Sequence, residues 1–170
     1  MSVQEHKKEA PDHVRCMVLT ISDTRTVESD KSGRFMMEEL QQKGHEVVKY
    51  EIVKDEKASI MSHLEEGVSD PAIDVVLTNG GTGIAKRDIT IEAVQSIIDK
   101  EIPGFGELFR MLSYTEDIGS AALLSRAIAG TKGTTAIFAT PGSSGAVRLA
   151  MEKLISPEMT HVVRELRKDA

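Results

Sequence analysis

The chain alternates between short apolar runs rich in β-branched residues and longer segments whose apolar residues recur every three or four positions. The short runs predict β-strands over residues 14–22, 46–53, 73–78 and 134–139. The first and third are expected to be buried, and residues 46–53 alternate loosely between polar and apolar. The longer segments predict helices; they cover residues 32–42, 58–68, 90–99, 105–114 and 120–129, and a last amphipathic helix begins near Ala146 and is interrupted by Pro157. Strands that alternate with helices, without a long linker, indicate one α/β domain with a largely parallel sheet.

The amino-acid composition argues against two classes of binding partner, nucleic acids and membranes. The 170 residues are 40% hydrophobic but only 4% aromatic, with no tryptophan, and the formal net charge is −6. Proteins that bind single-stranded nucleic acid need aromatic stacking platforms, and nucleic acids and anionic membranes attract basic surfaces. We therefore expect neither a nucleic acid nor a membrane as partner. The single cysteine, Cys16, excludes an intrachain disulfide and a cysteine-rich zinc site.

The N-terminal segment, residues 1–13, is polar and charged and lacks the apolar stretch of a signal peptide. No apolar run reaches the length of about 18 residues that a membrane-spanning helix needs. We therefore expect a cytoplasmic protein in which residues 1–13 form a flexible leader and residues 14–170 form a single folded domain.

A glycine-rich loop follows the third predicted strand and is the strongest candidate for chemistry. It consists of Thr78, Asn79, Gly80, Gly81, Thr82 and Gly83, and Lys86-Arg87-Asp88 and a helix follow it. Ligands of open α/β sheets bind beyond the carboxyl ends of strands, and glycines let backbone N–H groups approach a phosphate. The alternative is a glycine-rich turn with exposed basic residues. The loop matches neither the dinucleotide fingerprint, because Lys86 stands at its third glycine position, nor a Walker loop.

A second loop, Pro141-Gly142-Ser143, follows the fourth predicted strand. Its place at a strand-to-helix junction offers backbone and hydroxyl donors to an anion, whereas proline and glycine also shape turns that bind nothing. The residues alone leave these two interpretations equally open.

Three aspartates, Asp23, Asp55 and Asp88, stand just beyond a predicted strand or at the end of a loop. Carboxylates beside a phosphate often hold Mg²⁺, which needs only one or two protein oxygens, but an aspartate in such a position also commonly caps a helix. The five histidines show no metal-ligand spacing in the sequence, so we predict no metal site among them.

Taken together, these loops resemble the signature segments of the MoaB/MogA molybdopterin-binding family. TNGGTGIAKRD followed by TIE is similar to the glycine loop of that family, and IPGFGE, LSR and TPGS are similar to three of its later segments. The stretches ELFRMLSYTEDIGSAALLSRAIAG and IFATPGSS resemble the MoaB branch. The resemblance extends from about residue 14 to about residue 157, which is nearly the whole predicted domain.

The resemblance implies a three-layer α/β/α domain with a mostly parallel central sheet. It implies a homo-oligomer, with a hexamer favoured over a trimer, and other molybdenum cofactor biosynthesis proteins as partners. It also implies that the glycine loop and the Pro-Gly-Ser loop hold the pterin and the phosphate of molybdopterin. The residues that match the ligand-binding segments of the family are Thr78, Asn79, Gly80, Gly81, Thr82, Gly83, Ser22, Asp23, Ser125, Arg126, Pro141, Gly142 and Ser143.

MogA-type members of the family transfer AMP from Mg-ATP to the molybdopterin phosphate. By resemblance, Asp55 and Asp88 match the carboxylates implicated in that step, and both are candidate Mg²⁺ ligands. Two positions depart from the family pattern: Asn79 replaces a hydroxyl residue, and Ile91 stands where many members have proline. Some MoaB proteins lack the acidic pair, and its retention here favours adenylylation of molybdopterin with Mg-ATP. The alternatives are a non-catalytic molybdopterin-binding or carrier oligomer of the same pathway and a generic α/β nucleotide-binding module.

Overall fold

A six-stranded sheet lies at the centre of the computed structural model, which describes residues 1–170. The strands are β1 (Arg15–Ile21), β2 (Glu46–Val53), β3 (Val75–Asn79), β4 (Lys100–Glu101), β5 (Ile128–Lys132) and β6 (Thr135–Thr140). Their order in the sheet is β2-β1-β3-β6-β5-β4. Neighbouring strands among β2, β1, β3 and β6 pair parallel, whereas β5 pairs antiparallel with both β6 and β4. The predicted mostly parallel sheet is confirmed.

Helices cover both faces of the sheet. They are α1 (Val3–Lys8), α2 (Lys31–Gln42), α3 (Lys57–Ser69), α4 (Thr90–Ile97), α5 (Pro103–Glu116), α6 (Ser144–Ala150) and α7 (Ser156–Arg167). On one face, α2, α5, α6 and α7 contribute to a buried apolar cluster that includes Met36 and Phe109. On the other face, α3 and α4 contribute to a second cluster that includes Leu64 and Val94. The three-layer architecture is confirmed, and none of the helices is long and apolar enough to cross a membrane.

The segment after α5 does not form the helix predicted for residues 120–129. It forms a 3₁₀ helix, Gly119–Leu124, and then β5. The spacing of its alanines and leucines fits a helix, but Ile128 pairs with Ala139 in a hairpin with β6. The hairpin turn contains Gly133, which has a φ of 58°. Hydrogen bonding across the sheet therefore outweighs the local helical preference of this segment.

The sequence predicted that Pro157 interrupts the last helical run, and this prediction is wrong. Helix α6 passes through a π-helical turn, Met151–Ile155, directly into α7, and Pro157 lies in the first turn of α7. A proline is tolerated there because the wider π turn before it changes the hydrogen-bond pattern that a proline would break. Helix α1, which buries none of its own residues, packs against α7.

Candidate functional site

The carboxyl ends of the four parallel strands meet at one edge of the sheet. Thr20 of β1 pairs with Asn79 of β3, and Asn79 pairs with Thr140 of β6. The loops after β1, β2, β3 and β6 therefore leave the sheet side by side, at the edge where open α/β sheets bind ligands. These loops and the strand ends before them carry every predicted site residue except Ser125 and Arg126.

The glycine loop passes too close to β1 for a residue with a side chain. Gly80 has a φ of 97°, and a Cβ atom on it would lie 2.2 Å from the carbonyl oxygen of Ile21. Gly81 has a φ of 69°, and a Cβ atom there would lie 2.3 Å from Oγ1 of Thr90. The Thr90 hydroxyl donates to the carbonyl oxygen of Gly80 at 3.0 Å. The two adjacent glycines are therefore required by both backbone conformation and space.

Three backbone N–H groups of this loop remain free for an anion. The N–H of Gly80 donates to the carbonyl oxygen of Thr140 at 3.0 Å, so this amide holds the loop to β6 instead. The N–H groups of Gly81, Thr82 and Gly83 donate to no acceptor in the chain. Consecutive unpaired backbone N–H groups of this kind form a concave anion-binding surface.

The two residues before the glycines lie beneath the loop. The Nδ2 amide of Asn79 donates to Oγ1 of Thr20 at 3.0 Å, and its Oδ1 accepts from the guanidinium of Arg25 at 3.2 Å. The hydroxyl of Thr78 is buried and has no hydrogen-bond partner. Asn79 therefore fixes the base of the site with both ends of its side chain.

The Pro-Gly-Ser loop lies directly against the glycine loop. A Cβ atom on Gly142 would stand 3.1 Å from Cα of Gly80. The carbonyl oxygen of Gly142 accepts hydrogen bonds from Arg25 and from the hydroxyl of Ser32, each at 2.7 Å. Ser143 caps the N-terminus of α6 with its side-chain oxygen. The structure thus brings Pro141, Gly142 and Ser143 together with the glycine loop.

Arg25 is a site residue that the sequence analysis missed. Its guanidinium joins Asn79 to Gly142 and also lies 3.6 Å from the fully buried carboxylate of Asp30. It is the only basic residue in the polar segment between β1 and α2, and that segment follows a strand that ends at the site. The position of an arginine after this strand was the available signal.

Arg126 holds the glycine loop from outside the strand ends. Its guanidinium donates to the carbonyl oxygen of Thr82 at 3.0 Å, to that of Gly83 at 2.8 and 3.1 Å, and to that of Asp88 at 3.1 Å. It also forms an ion pair with Glu92. All of its donor nitrogens therefore have partners, which makes Arg126 a residue that positions the loop. Its neighbour Ser125 makes no side-chain hydrogen bond.

Asp55 and Asp88 each lie against a glycine of the loop, Asp55 against Gly81 and Asp88 against Gly83. The Oδ1 atom of Asp55 is buried without a hydrogen-bond partner, and it lies 3.4 Å from where a Cβ atom on Gly81 would stand. Burial raises the pKa of Asp55, and the negative charge of Asp88 raises it further. Asp88 accepts the N–H of Ala85 at 3.0 Å with its Oδ2 atom. Two neighbouring carboxylates, one with an unpartnered buried oxygen, fit a Mg²⁺ ion, which prefers such oxygen ligands.

Ser22 and Asp23 shape the neighbouring loop. The hydroxyl oxygen of Ser22 accepts the N–H groups of Thr24 and Arg25 at 3.2 and 3.1 Å. One carboxylate oxygen of Asp23 accepts the N–H of Asp55 at 3.0 Å, and the other forms an ion pair with Arg87. Asp23 therefore joins the loops after β1 and β2 to the glycine loop.

The comparisons with known proteins agree with this geometry. The family described as "Probable molybdopterin binding domain" matches residues 17–161. A relative from Bacillus subtilis, molybdenum cofactor biosynthesis protein B, is 64% identical over 169 residues, which are 99% of each chain. A crystal structure of molybdenum cofactor biosynthesis protein B superposes with a TM-score of 0.91 at 62% identity, covering 94% of this chain and 99% of the other. The tungsten cofactor synthesizing protein MoaB from Pyrococcus furiosus superposes with a TM-score of 0.83 at 40% identity, covering 94% of this chain and 100% of the other.

Proposed function

This chain belongs to the family of molybdopterin-binding domains that includes molybdenum cofactor biosynthesis protein B, and from that premise we propose that it binds molybdopterin and adenylylates it with Mg-ATP. The observation that carries the proposal is the unpartnered, buried Oδ1 atom of Asp55 beside the free amides of the glycine loop. A site for phosphate alone has no use for a buried carboxylate, because it would repel the ligand. A site for a phosphate and a divalent cation needs both groups.

Each group of residues at this edge of the sheet has its own role in the proposed reaction. The N–H groups of Gly81, Thr82 and Gly83 would bind phosphate oxygens, and Asp55 and Asp88 would hold Mg²⁺. Bound Mg²⁺ would neutralise the charge of the ATP phosphates. The Pro-Gly-Ser loop, Pro141, Gly142 and Ser143, would contact the pterin, and the fully buried Thr78 and Asn79 would support the two loops from below.

The reaction needs no side-chain nucleophile. A phosphate oxygen of molybdopterin attacks the α-phosphorus of ATP, the bond from that phosphorus to the bridging oxygen breaks, and pyrophosphate leaves with the bonding electron pair. The protein contributes mainly by positioning the two substrates and stabilising negative charge. Arg25 and Arg126 would serve this end by keeping the two loops in contact and in shape, because both guanidinium groups are bonded to loop carbonyl oxygens.

The direct test is product formation. The full chain is incubated with molybdopterin and Mg-ATP, and pyrophosphate and adenylylated pterin are measured beside molybdopterin binding. We expect Asp88→Ala to lower the rate at least about tenfold, because it removes one of the two carboxylates that would hold Mg²⁺. It should still bind molybdopterin, because the free amides of Gly81, Thr82 and Gly83 remain. If wild type forms no more product than Asp88→Ala although both bind the pterin, the protein is a non-catalytic binding or carrier protein.

We also propose that the protein is a homo-oligomer, with a hexamer favoured over a trimer. Large apolar side chains are exposed together on α5 and the 3₁₀ helix that follows it; they are Leu108, Met111, Tyr114, Ile118, Leu123 and Leu124. An apolar surface of this kind on a single chain marks a protein–protein interface.

Sedimentation of two charge variants tests the oligomer. We expect Leu123→Glu, at a position that is 87% exposed in the single chain, to sediment as a smaller species than wild type. Val27→Glu is the matched control, because Val27 is also well exposed (63%) but belongs to the loop between β1 and α2, and it should leave the oligomer intact. A wild-type chain that is monomeric at micromolar concentration contradicts the proposal.

A further inference from the structure

The N-terminal and C-terminal helices bring two histidines and a glutamate together far from the sheet edge. His6 of α1 lies with its Nδ1 atom 3.3 Å from Oε1 of Glu165, and the Nε2 atom of His161 lies 4.0 Å from the same oxygen. One nitrogen of each histidine and one oxygen of the glutamate lie within 4.8 Å of one another. His161 and Glu165 are one helical turn apart on α7, so their side chains share one face.

We propose that His6, His161 and Glu165 form a binding site for a divalent transition-metal ion such as Zn²⁺. Ligand atoms around a tetrahedral zinc ion are about 3.3 Å apart. The Glu165–His6 distance already has that value, and the others need only small side-chain rotations to reach it. Imidazole nitrogens suit zinc, copper and nickel but not magnesium, so this site differs in ligand class from the two aspartates at the sheet edge.

Glu158 gives His161 the orientation that a metal ligand needs. Its carboxylate lies 3.0 Å from Nδ1 of His161 and accepts a hydrogen bond from that nitrogen, which leaves Nε2 as the nitrogen that faces Glu165. A carboxylate bonded to the far nitrogen of a histidine is the usual second partner of a metal-binding imidazole. Lys7 of α1 pairs with Glu158 and holds this carboxylate in place.

Two cations compete with the metal for Glu165. Lys168 donates to its Oε2 atom at 2.8 Å and Arg164 donates to its Oε1 atom at 2.6 Å, and these bonds lower the pKa of Glu165 to about 2. The two cations therefore keep the Glu165 carboxylate in its ionised form. A metal on Oε1 would displace Arg164, which keeps its second ion pair, with Glu9.

A bound metal would strengthen the attachment of helix α1 to α7. The six residues of α1 bury no side chain, and a helix this short is unstable by itself. The ion pair between Lys7 of α1 and Glu158 of α7 is well exposed and contributes little stability. A metal bound between His6 and the two α7 residues would fasten α1 to the C-terminal helix.

Zinc titration of the full chain at neutral pH tests the proposal. We expect one Zn²⁺ per chain, measured by calorimetry, with at least tenfold weaker binding in His6→Gln and in His161→Gln. Glu158→Gln should weaken binding about 10- to 100-fold, because it removes only the outer carboxylate. His63→Gln is the matched control: His63 is also a partly buried helical histidine with a bonded Nδ1 atom, and this variant should bind like wild type.

Hydrogen exchange supplies a second readout. Zinc should slow amide exchange in residues 3–8 of wild type but not of His161→Gln, whose substitution lies on α7. Asp88→Ala should retain zinc binding, which separates this site from the proposed catalytic one. Binding that survives both histidine substitutions, an absence of zinc binding in wild type, or exchange of α1 that ignores zinc each overturns the proposal.

Discussion

Replacing Asp55 with asparagine should lower the rate of AMP transfer by about 10²- to 10³-fold and at the same time raise the stability of the free protein. The rate falls because the uncharged amide of an asparagine cannot neutralise a cation beside the ATP phosphates, an interaction that contributes several kcal/mol in such sites. The stability rises because the variant removes a negative charge that burial and the neighbouring charge of Asp88 both disfavour in the folded protein.

The stability gain should depend on pH. The pKa of Asp55 is raised in the folded protein by burial and by Asp88, so the folded state binds a proton more readily than the unfolded chain. Wild type therefore loses stability as the pH rises from the ordinary aspartate pKa of 3.8 through the raised value. Thermal unfolding should show Asp55→Asn about 2–4 °C more stable than wild type at pH 7 and equal to it near pH 3.

Magnesium provides the control for this prediction. Mg²⁺ should raise the unfolding temperature of wild type and have little effect on Asp55→Asn, because a ligand stabilises only the folded state that binds it. A variant that is less stable than wild type at neutral pH contradicts the account, since it would mean that Asp55 has a stabilising partner.

The Gly80→Ala substitution should destabilise the protein by about 3 kcal/mol. The left-handed conformation costs an alanine about 1–2 kcal/mol, and forcing a methyl group into a filled space adds about 1–3 kcal/mol. At Gly80 both apply, because its φ is 97° and the new Cβ atom would meet the carbonyl oxygen of Ile21 at 2.2 Å. Chemical denaturation of the two proteins measures the difference.

Gly44→Ala is the matched control for this prediction. Gly44 has a φ of 83°, but a Cβ atom there would have no neighbour within 4 Å. We expect this variant to cost only the conformational part, about 1 kcal/mol. Equal losses of stability in the two variants would show that the close approach of Gly80 to β1 does not contribute to the free energy of unfolding.

The predicted strands β1, β2, β3 and β6 lie within two residues of their expected bounds. β1, β3 and β6 are buried along almost their whole length and form continuous apolar runs, whereas β2, at the sheet edge, was recognised by its loose alternation of polar and apolar residues. β4 has two exposed residues and leaves no such run. β5 was assigned to a helix because its pairing with β6 depends on a partner strand and not on its own sequence.

The position of the site could be predicted from the sequence, but the hydrogen-bond partners of its residues could not. Loops that follow parallel strands must meet at one edge, so the glycine loop, Asp55 and Gly142 could be placed together. Which groups remain free for a ligand depends on contacts between distant residues, as with the Gly80 amide and the Arg126 guanidinium. The meeting of His6 and His161 required the first and last helices to pack, which no local spacing reveals.

The arginine contacts of the site also set when it can form during synthesis. The glycine loop is held by Arg126, and the first loop is held through Arg25 to Gly142, which lies 117 residues further along the chain. A nascent chain that has emerged only as far as α4 contains the glycines but neither Arg126 nor Gly142. The site therefore cannot be complete before the chain has been synthesised as far as Gly142, although the glycine loop itself is made much earlier.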